Sequence, residues 1–288
     1  MLTYKEYNLK LARLRNTRKL TRTMKMVSAN KFRKAQEAQA QADRYGREFS
    51  GVMAGLLSAE AAAGHPFFQA RDPMRSLWVL ICASDRGLCG GFNNGLCRFV
   101  LNWLETEVPR GGARPRLALW GRRAAAFFQD RFPIAKHYTA AGPRPTFAEA
   151  RGIGQDLMAA FLQGAADEIY VAFNEFESSL RQTPVLHRLL PLAPPSDRAS
   201  DRGDRIIDPP VSELIWPMLE RQVAVRIQAA LLHSAAGEHA ARMRAMDNAT
   251  RNADQLIEET QLLRNRARQS TITRELIEIV AGAEALKA

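Results

Sequence analysis

Residues 84–93, Ser-Asp-Arg-Gly-Leu-Cys-Gly-Gly-Phe-Asn, are the stretch of this 288-residue chain whose types and spacing come nearest to chemistry. Three glycines (Gly87, Gly90, Gly91) lie between an apolar run and a helical stretch, where backbone N–H groups at a helix start can hold a phosphate. The Lys-Ser/Thr pair that follows a P-loop is missing, and so is the GxGxxG spacing. The glycines therefore read as a tight strand-to-helix turn. Five histidines (His65, His137, His187, His233, His239) are scattered, and no HExxH, Ser/His/Asp group or isolated carboxylate pair stands out. Cys82, Cys89 and Cys97 fall within sixteen residues without metal-ligand spacing, and read as reduced, buried intracellular thiols. We expect no active site, no cofactor and no metal on this chain.

The elements around this motif alternate. Leu77–Ala83 is a continuous apolar run of the kind that forms a strand buried on both faces, and Phe92–Glu107 reads as a helix. Further strands are expected at Arg116–Trp120, Ile134–Tyr138, Glu168–Phe173 and Val185–Leu192, with helices at Arg122–Arg131 and Thr146–Gln163. The alternation argues for an α/β layer with a largely parallel sheet. Its last two strands are close enough in sequence to pair antiparallel.

On either side of this body lie two very long helical segments. No proline precedes Pro66 and none follows Pro217. The first helix is expected over 3–58 with an apolar stripe of Leu9, Leu11, Leu14, Leu20, Met24 and Val27, continued by Ala35, Ala38 and Ala42. The second begins near Val211, with a bend at Pro217, and carries Met243, Met246, Leu256, Leu263 and Ala267. Neither segment can bury its stripe alone, so the simplest packing is one against the other, antiparallel. The organisation expected is an N-terminal coiled-coil helix (1–60), an α/β body (75–195), an exposed loop rich in Pro, Asp, Ser and Arg (193–210), and a C-terminal coiled-coil helix (211–288). The seam lacks the Leu/Ile repeat of a self-sufficient coiled coil, which suggests that something else encloses it.

Charge is concentrated. Lys5 to Lys34 holds eleven Lys/Arg and one acid, Glu6, a net of +10 against +11 for the whole chain. Such a composition could be a mitochondrial targeting segment, but the pattern runs past Lys34 into an ordinary helical stretch, Ala35–Leu57. Like charges at i,i+4 destabilise a helix, so the charge is expected to serve a partner. Nucleic acid is disfavoured, because interleaved aromatics are few (Tyr4, Tyr7, Phe32) and the body has no matching basic groove. An acidic protein surface around the helix is the better fit. No run reaches the roughly 18–20 apolar residues of a membrane span.

Three stretches resemble the gamma subunit of F-type ATP synthases. Asn16–Lys31 (NTRKLTRTMKMVSANK) is similar to that family's first-helix signature, Ser84–Asn93 to its strand-turn-helix motif, and Glu238–Ala253 with Asn265–Gly282 to its last helix. The resemblance implies an antiparallel two-helix coiled coil with an inserted α/β (Rossmann-like) domain. It further implies the non-catalytic central-stalk rotor, which couples ion flow through the membrane sector to conformational change at the catalytic beta-subunit sites. Implied partners are an alpha3beta3 hexamer, an epsilon subunit and the membrane c-ring, with one copy of this chain per complex and no nucleic acid. The implied location is peripheral, on the cytoplasmic side of a bacterial inner membrane.

The same resemblance assigns contacts with beta to Met24, Lys25, Arg242, Arg268, Gln269 and Thr273, a body motif to Asp85, Arg86, Gly87, Cys89, Gly90 and Gly91, and a foot on the membrane ring to Asp208 and Pro209. Departures are modest: Ala83 and Phe92 replace an expected small hydroxyl residue and Leu, and Arg274 stands where Gln is common. The cysteine-bearing regulatory insertion of chloroplast relatives is missing, so no thiol switching of activity is expected.

Overall fold

The computed structural model describes residues 3–56, 64–106, 108, 112–193 and 209–285. Two helices dominate: α1 (Tyr4–Leu56) and, at the other end of the chain, Val211–Ala285. The chain divides into two compact units, one made of Met1–Ser28 with Met243–Ala288, the other of Ala29–Arg242. Both boundaries fall inside the long helices.

The larger unit is built on a five-stranded sheet. Its strands are β1 (Ser76–Cys82), β2 (Arg114–Trp120), β3 (Ile134–Tyr138), β4 (Glu168–Phe176) and β5 (Gln182–Leu190), ordered β3-β2-β1-β4-β5. The first four are parallel and β5 runs antiparallel to β4. Helices α2 (Phe92–Thr106), α3 (Arg122–Phe128) and α4 (Phe147–Leu162) connect them, and the C-terminal helix is α5. The expected alternation is thus present, with β4 reaching three residues beyond Phe173 and β5 beginning at Gln182. Thr146 caps α4 in a reciprocal box with Glu149, which satisfies two of the orphan donors at the helix start.

Strand periodicity of two sends alternate side chains to opposite faces. Leu77, Val79 and Ile81 of β1 pack with Leu96, Val100 and Leu104 of α2 and Phe128 of α3. Leu80 and Cys82 face the other way, onto Ile153, Leu157 and Phe161 of α4 and onto Leu219, Val223, Ile227 and Leu231 of α5. The sheet is therefore covered on both faces, and one cover is the long helix itself. Pro217 lies within the second turn of α5, which continues through it as one helix. Asp208, expected as part of a foot, lies with 194–208 outside the described residues, whereas Pro209 is exposed just before α5.

The seam between the long helices differs from the expected stripe. In the smaller unit, α1 turns Tyr7, Leu11, Leu14, Thr21, Lys25 and Ser28 inward, and in the larger unit Phe32, Ala35, Gln39, Ala42, Gly46, Phe49 and Met53. With exposed Arg18 completing the series, the steps alternate four and three. This period of 3.5 is what keeps one seam facing a partner in a left-handed coil. Leu9, Leu20 and Val27 are 57%, 60% and 51% exposed, because each sits one or two positions from a seam residue and so about 100–200° around the helix. On α5 the seam is Met246, Thr250, Ala253, Ile257 and Thr260, running on through half-buried Arg264 and Ala267, while Leu256 and Leu263, expected inside, are exposed. The partners run antiparallel: Arg18 meets Asp254 at 3.0 Å, Thr21 meets Thr250 at 2.8 Å and Lys25 meets Asp247 at 2.5 Å.

A candidate coupling site where the sheet meets the long helix

Parallel sheets hold ligands beyond the carboxyl ends of their strands, at the point where strand order reverses. Here that crevice lies between β1 and β4, since the chain builds outward to β2 and β3 and then returns to β4 on the other side of β1. The crevice is filled by α5. Ser234, buried, donates its hydroxyl to the Cys82 carbonyl at 2.8 Å, closing the end of β1 onto the helix. Gly237 lies against the Phe92 ring: a Cβ there would come within 2.9 Å of a ring carbon, so any larger residue would have to push the ring aside. Asn174 at the end of β4 donates to the Phe92 carbonyl at 3.2 Å.

The glycine-bearing turn is braced by its own side chains. The Ser84 amide donates to Asn93 Oδ1 at 3.0 Å, Asn93 Nδ2 donates to Ser84 Oγ at 2.8 Å, and Ser84 Oγ donates to the Arg86 carbonyl at 2.7 Å. Gly90 has φ +59°, as a tight turn needs, and Leu88 is also left-handed at φ +64° with its side chain 61% exposed. Asp85 accepts the Arg122 amide at 3.0 Å at the start of α3. Behind it, Gly121 has φ +92°, and a Cβ there would lie 2.4 Å from the Ala83 carbonyl oxygen. Burial pushes the Cys89 thiol up, with the nearby Arg242 cation partly opposing, so Cys89 stays protonated and packs with Phe92 and Ala241.

Arg242 ties this turn to the helix. Its Nε and Nη2 donate to the Gly87 carbonyl, both at 3.2 Å, and Nη2 also reaches the Arg86 carbonyl at 3.2 Å and Glu238 Oε1 at 2.5 Å. Its Nη1 lies 3.3 Å from Nδ1 of His239. The residue is 8% exposed. Burial raises the Glu238 carboxyl despite the Arg242 cation. Burial, then Arg242 and Lys31, press His239 down to about 4, leaving a neutral imidazole. Arg242 and the motif Asp85, Arg86, Gly87, Cys89, Gly90 and Gly91, which the sequence places 150 residues apart and in different roles, thus form one cluster.

The other expected contact residues lie elsewhere. Met24 is half-buried beside the seam. Lys25 is engaged with Asp247, whose carboxyl is held below its ordinary range by that hydrogen bond, helped by Arg251. Arg268, Gln269 and Thr273 are all exposed; the seam on α5 ends at Ala267, and every described residue from 268 to 283 is exposed. Sequence reasoning missed Asn174, Ser234 and the role of Gly237. A glycine in the middle of a long helix was the available signal, since such a glycine usually has a packing reason.

The chain as a whole has relatives among known proteins. The family described as ATP synthase matches residues 3–286. The chain is 39% identical over 275 residues to the ATP synthase gamma chain of Moorella thermoacetica, covering 95% of each, and 35% identical over 289 residues to that of Trichlorobacter lovleyi, covering 100% of each. Among solved structures, a chain of the Euglena gracilis mitochondrial ATP synthase (OSCP/F1/c-ring) superposes with TM-score 0.66 at 17% identity, over 98% of this chain and 94% of that one. A chain of the Tetrahymena thermophila mitochondrial ATP synthase central stalk and c-ring superposes with TM-score 0.60 at 22% identity, over 80% and 99%. With near-complete coverage at this identity, the chain belongs to the ATP synthase gamma-chain family.

Proposed function

We propose that this chain turns as the central shaft of an F-type ATP synthase and does no chemistry of its own. The observation that carries this is the end of α5. Ile272, Leu276, Ile277, Ile279 and Val280 are 44–67% exposed on a helix that has no second helix beside it among the described residues. A helix with that much bare apolar surface requires a sleeve, and an alpha3beta3 hexamer supplies one. The filled crevice at the head of the sheet supports a non-catalytic body, since α5 stands where a nucleotide would lie.

The exposed cations of α1 (Lys5, Lys10, Arg13, Arg15, Lys19, Arg22) give a smeared positive field. Such a field attracts an acidic surround without fixing one rotational position. Contacts with beta are then made by Met24, Lys25, Arg268, Gln269 and Thr273. Arg242 acts on them indirectly, by holding the turn that presents Asp85, Arg86 and Leu88. The epsilon subunit and the membrane c-ring take the body, with Asp208 and Pro209 at the foot, on the cytoplasmic face of a bacterial inner membrane.

Affinity purification of the tagged chain from its native membranes tests this. Co-purified alpha and beta subunits with ATPase activity are expected. Recovery of the chain alone, or with nucleic acid and no ATPase, overturns the reading.

A further inference from the structure

A second junction between sheet and helices lies about two and a half turns before Arg242 on α5, and it is centred on His233. Its side chain is 12% exposed and touches three elements at once. The backbone N–H of Phe176, at the end of β4, points at Nδ1 from 3.1 Å. An amide N–H can only donate, so Nδ1 is the bare nitrogen and Nε2 carries the proton. Nε2 lies 3.0 Å from Asp43 Oδ1 on α1 and donates to it. The other carboxylate oxygen of Asp43 accepts Gln39 Nε2 at 2.5 Å. The ring packs against Phe173 with centroids 5.7 Å apart, and Phe176 packs on Phe32 of α1 at 5.6 Å. Both ring nitrogens thus have a partner, and one imidazole links α5, α1 and the last residue of strand β4.

We propose that His233 is a positioning residue of the rotor, one that pins both long helices to the sheet and sets how stiffly the body follows the shaft. This rests on the rotor reading. Two ties join the head of the sheet to α5: this one, and the grip of Arg242 and Ser234 on the β1 turn. A clasp of this kind needs short, directional bonds on three elements, since packing alone lets helices slide and roll against a sheet. An imidazole suits the task because its two nitrogens fix donor and acceptor about 2 Å apart in a rigid ring.

The test is made on the assembled complex with the hexamer immobilised, the catalytic sites locked by nucleotide, and a probe on the body. Thermal angular variance is inversely proportional to torsional stiffness. Losing one of two comparable ties should therefore raise it about twofold in His233→Ala and in Asp43→Ala, and no further in the double variant, as for partners in one network. The swapped pair Asp43→Arg with His233→Glu should restore the original variance, because a carboxylate at 233 can accept the Phe176 N–H and pair with the arginine. Val223→Ala, a core change outside the cluster, serves as the control for general loss of stability. Unchanged variance in His233→Ala, or equal loosening by Val223→Ala, overturns the proposal. An unmodified complex whose probe does not rotate once the sites are unlocked and ATP is supplied overturns the rotor reading instead.

Discussion

Thr21 of α1 and Thr250 of α5 face each other hydroxyl to hydroxyl at 2.8 Å, at a seam position where a self-supporting coil would carry leucine. Thr250 donates to Thr21, whose own proton goes to the Arg18 carbonyl at 3.1 Å, and Thr250 Oγ1 also lies 2.7 Å from the Met246 carbonyl as an alternative acceptor. Replacing both by valine removes two polar groups together, which is near neutral or stabilising, and keeps the volume. We expect Thr21→Val with Thr250→Val to stabilise the chain by up to about 1 kcal/mol, read as a higher melting temperature. A drop in melting temperature would mean that the hydroxyl pair itself holds the coil together.

Arg242 and Glu238 are coupled differently, because both are largely buried. Arg242→Ala strands the Glu238 carboxylate and releases the carbonyls of Arg86 and Gly87. Breaking a buried pair from one side costs about 3–5 kcal/mol. Arg242→Ala with Glu238→Ala should cost less than Arg242→Ala alone, since no buried charge is then left unpaired. Urea denaturation of the four members of this cycle measures the difference. Amide exchange at Arg86–Gly91 should quicken in both variants lacking the arginine.

The pH dependence of stability follows from His239. In the folded chain the imidazole is held down at about 4, against about 6.5 unfolded. Between those values the unfolded chain takes up a proton that the folded chain refuses, so stability present above pH 6.5 is lost as the pH falls toward 4. At 1.36 kcal/mol per unit the loss reaches about 3 kcal/mol. Glu238, raised by burial, works in the opposite sense as pH falls. Asp167, Glu149 and Glu220, all held low by hydrogen bonds, add their losses only further into acid. His239→Gln should therefore flatten the denaturation midpoint across this window, and an unchanged pH profile would remove His239 as its cause.

Much of the body was legible because its rules are local. The run Leu77–Ala83 reads as a strand covered twice, and the alternation that follows it places the helices between the later strands. The seam was not legible by hydrophobicity, because Thr21, Lys25, Ser28 and Gln39 occupy it while Leu9, Leu20 and Val27 face out. Their neighbours' burial is decided by a helix more than 200 residues away. The site failed to show for the same reason. Arg242 meets Gly87, and His233 meets Asp43, only after the sheet has brought the ends of the chain together. Nothing in the spacing of either pair marks them. Arg268, Gln269 and Thr273 are singled out by resemblance alone, and they lie exposed beyond the end of the seam, where no packing pattern marks them.

The last turns of α5 separate folding from function. The seam is complete at Ala267, and nothing described from 268 to 283 is buried. Among the described residues, truncation after Thr273 deletes only exposed positions, so the melting temperature of the remaining chain should stay within about 2 °C of the full-length value, the shift expected of well under 1 kcal/mol. Solubility of the isolated chain should improve, because Leu276, Ile277, Ile279 and Val280 are bare apolar surface. In the rotor proposed above, the same deletion removes the end of the shaft that the hexamer would enclose while leaving Met24, Lys25, Arg268 and Gln269. Assembly with alpha and beta should persist and torque should fall. Loss of assembly would mean that these final turns are an anchor for the hexamer, and not just the tip of a shaft turning inside it.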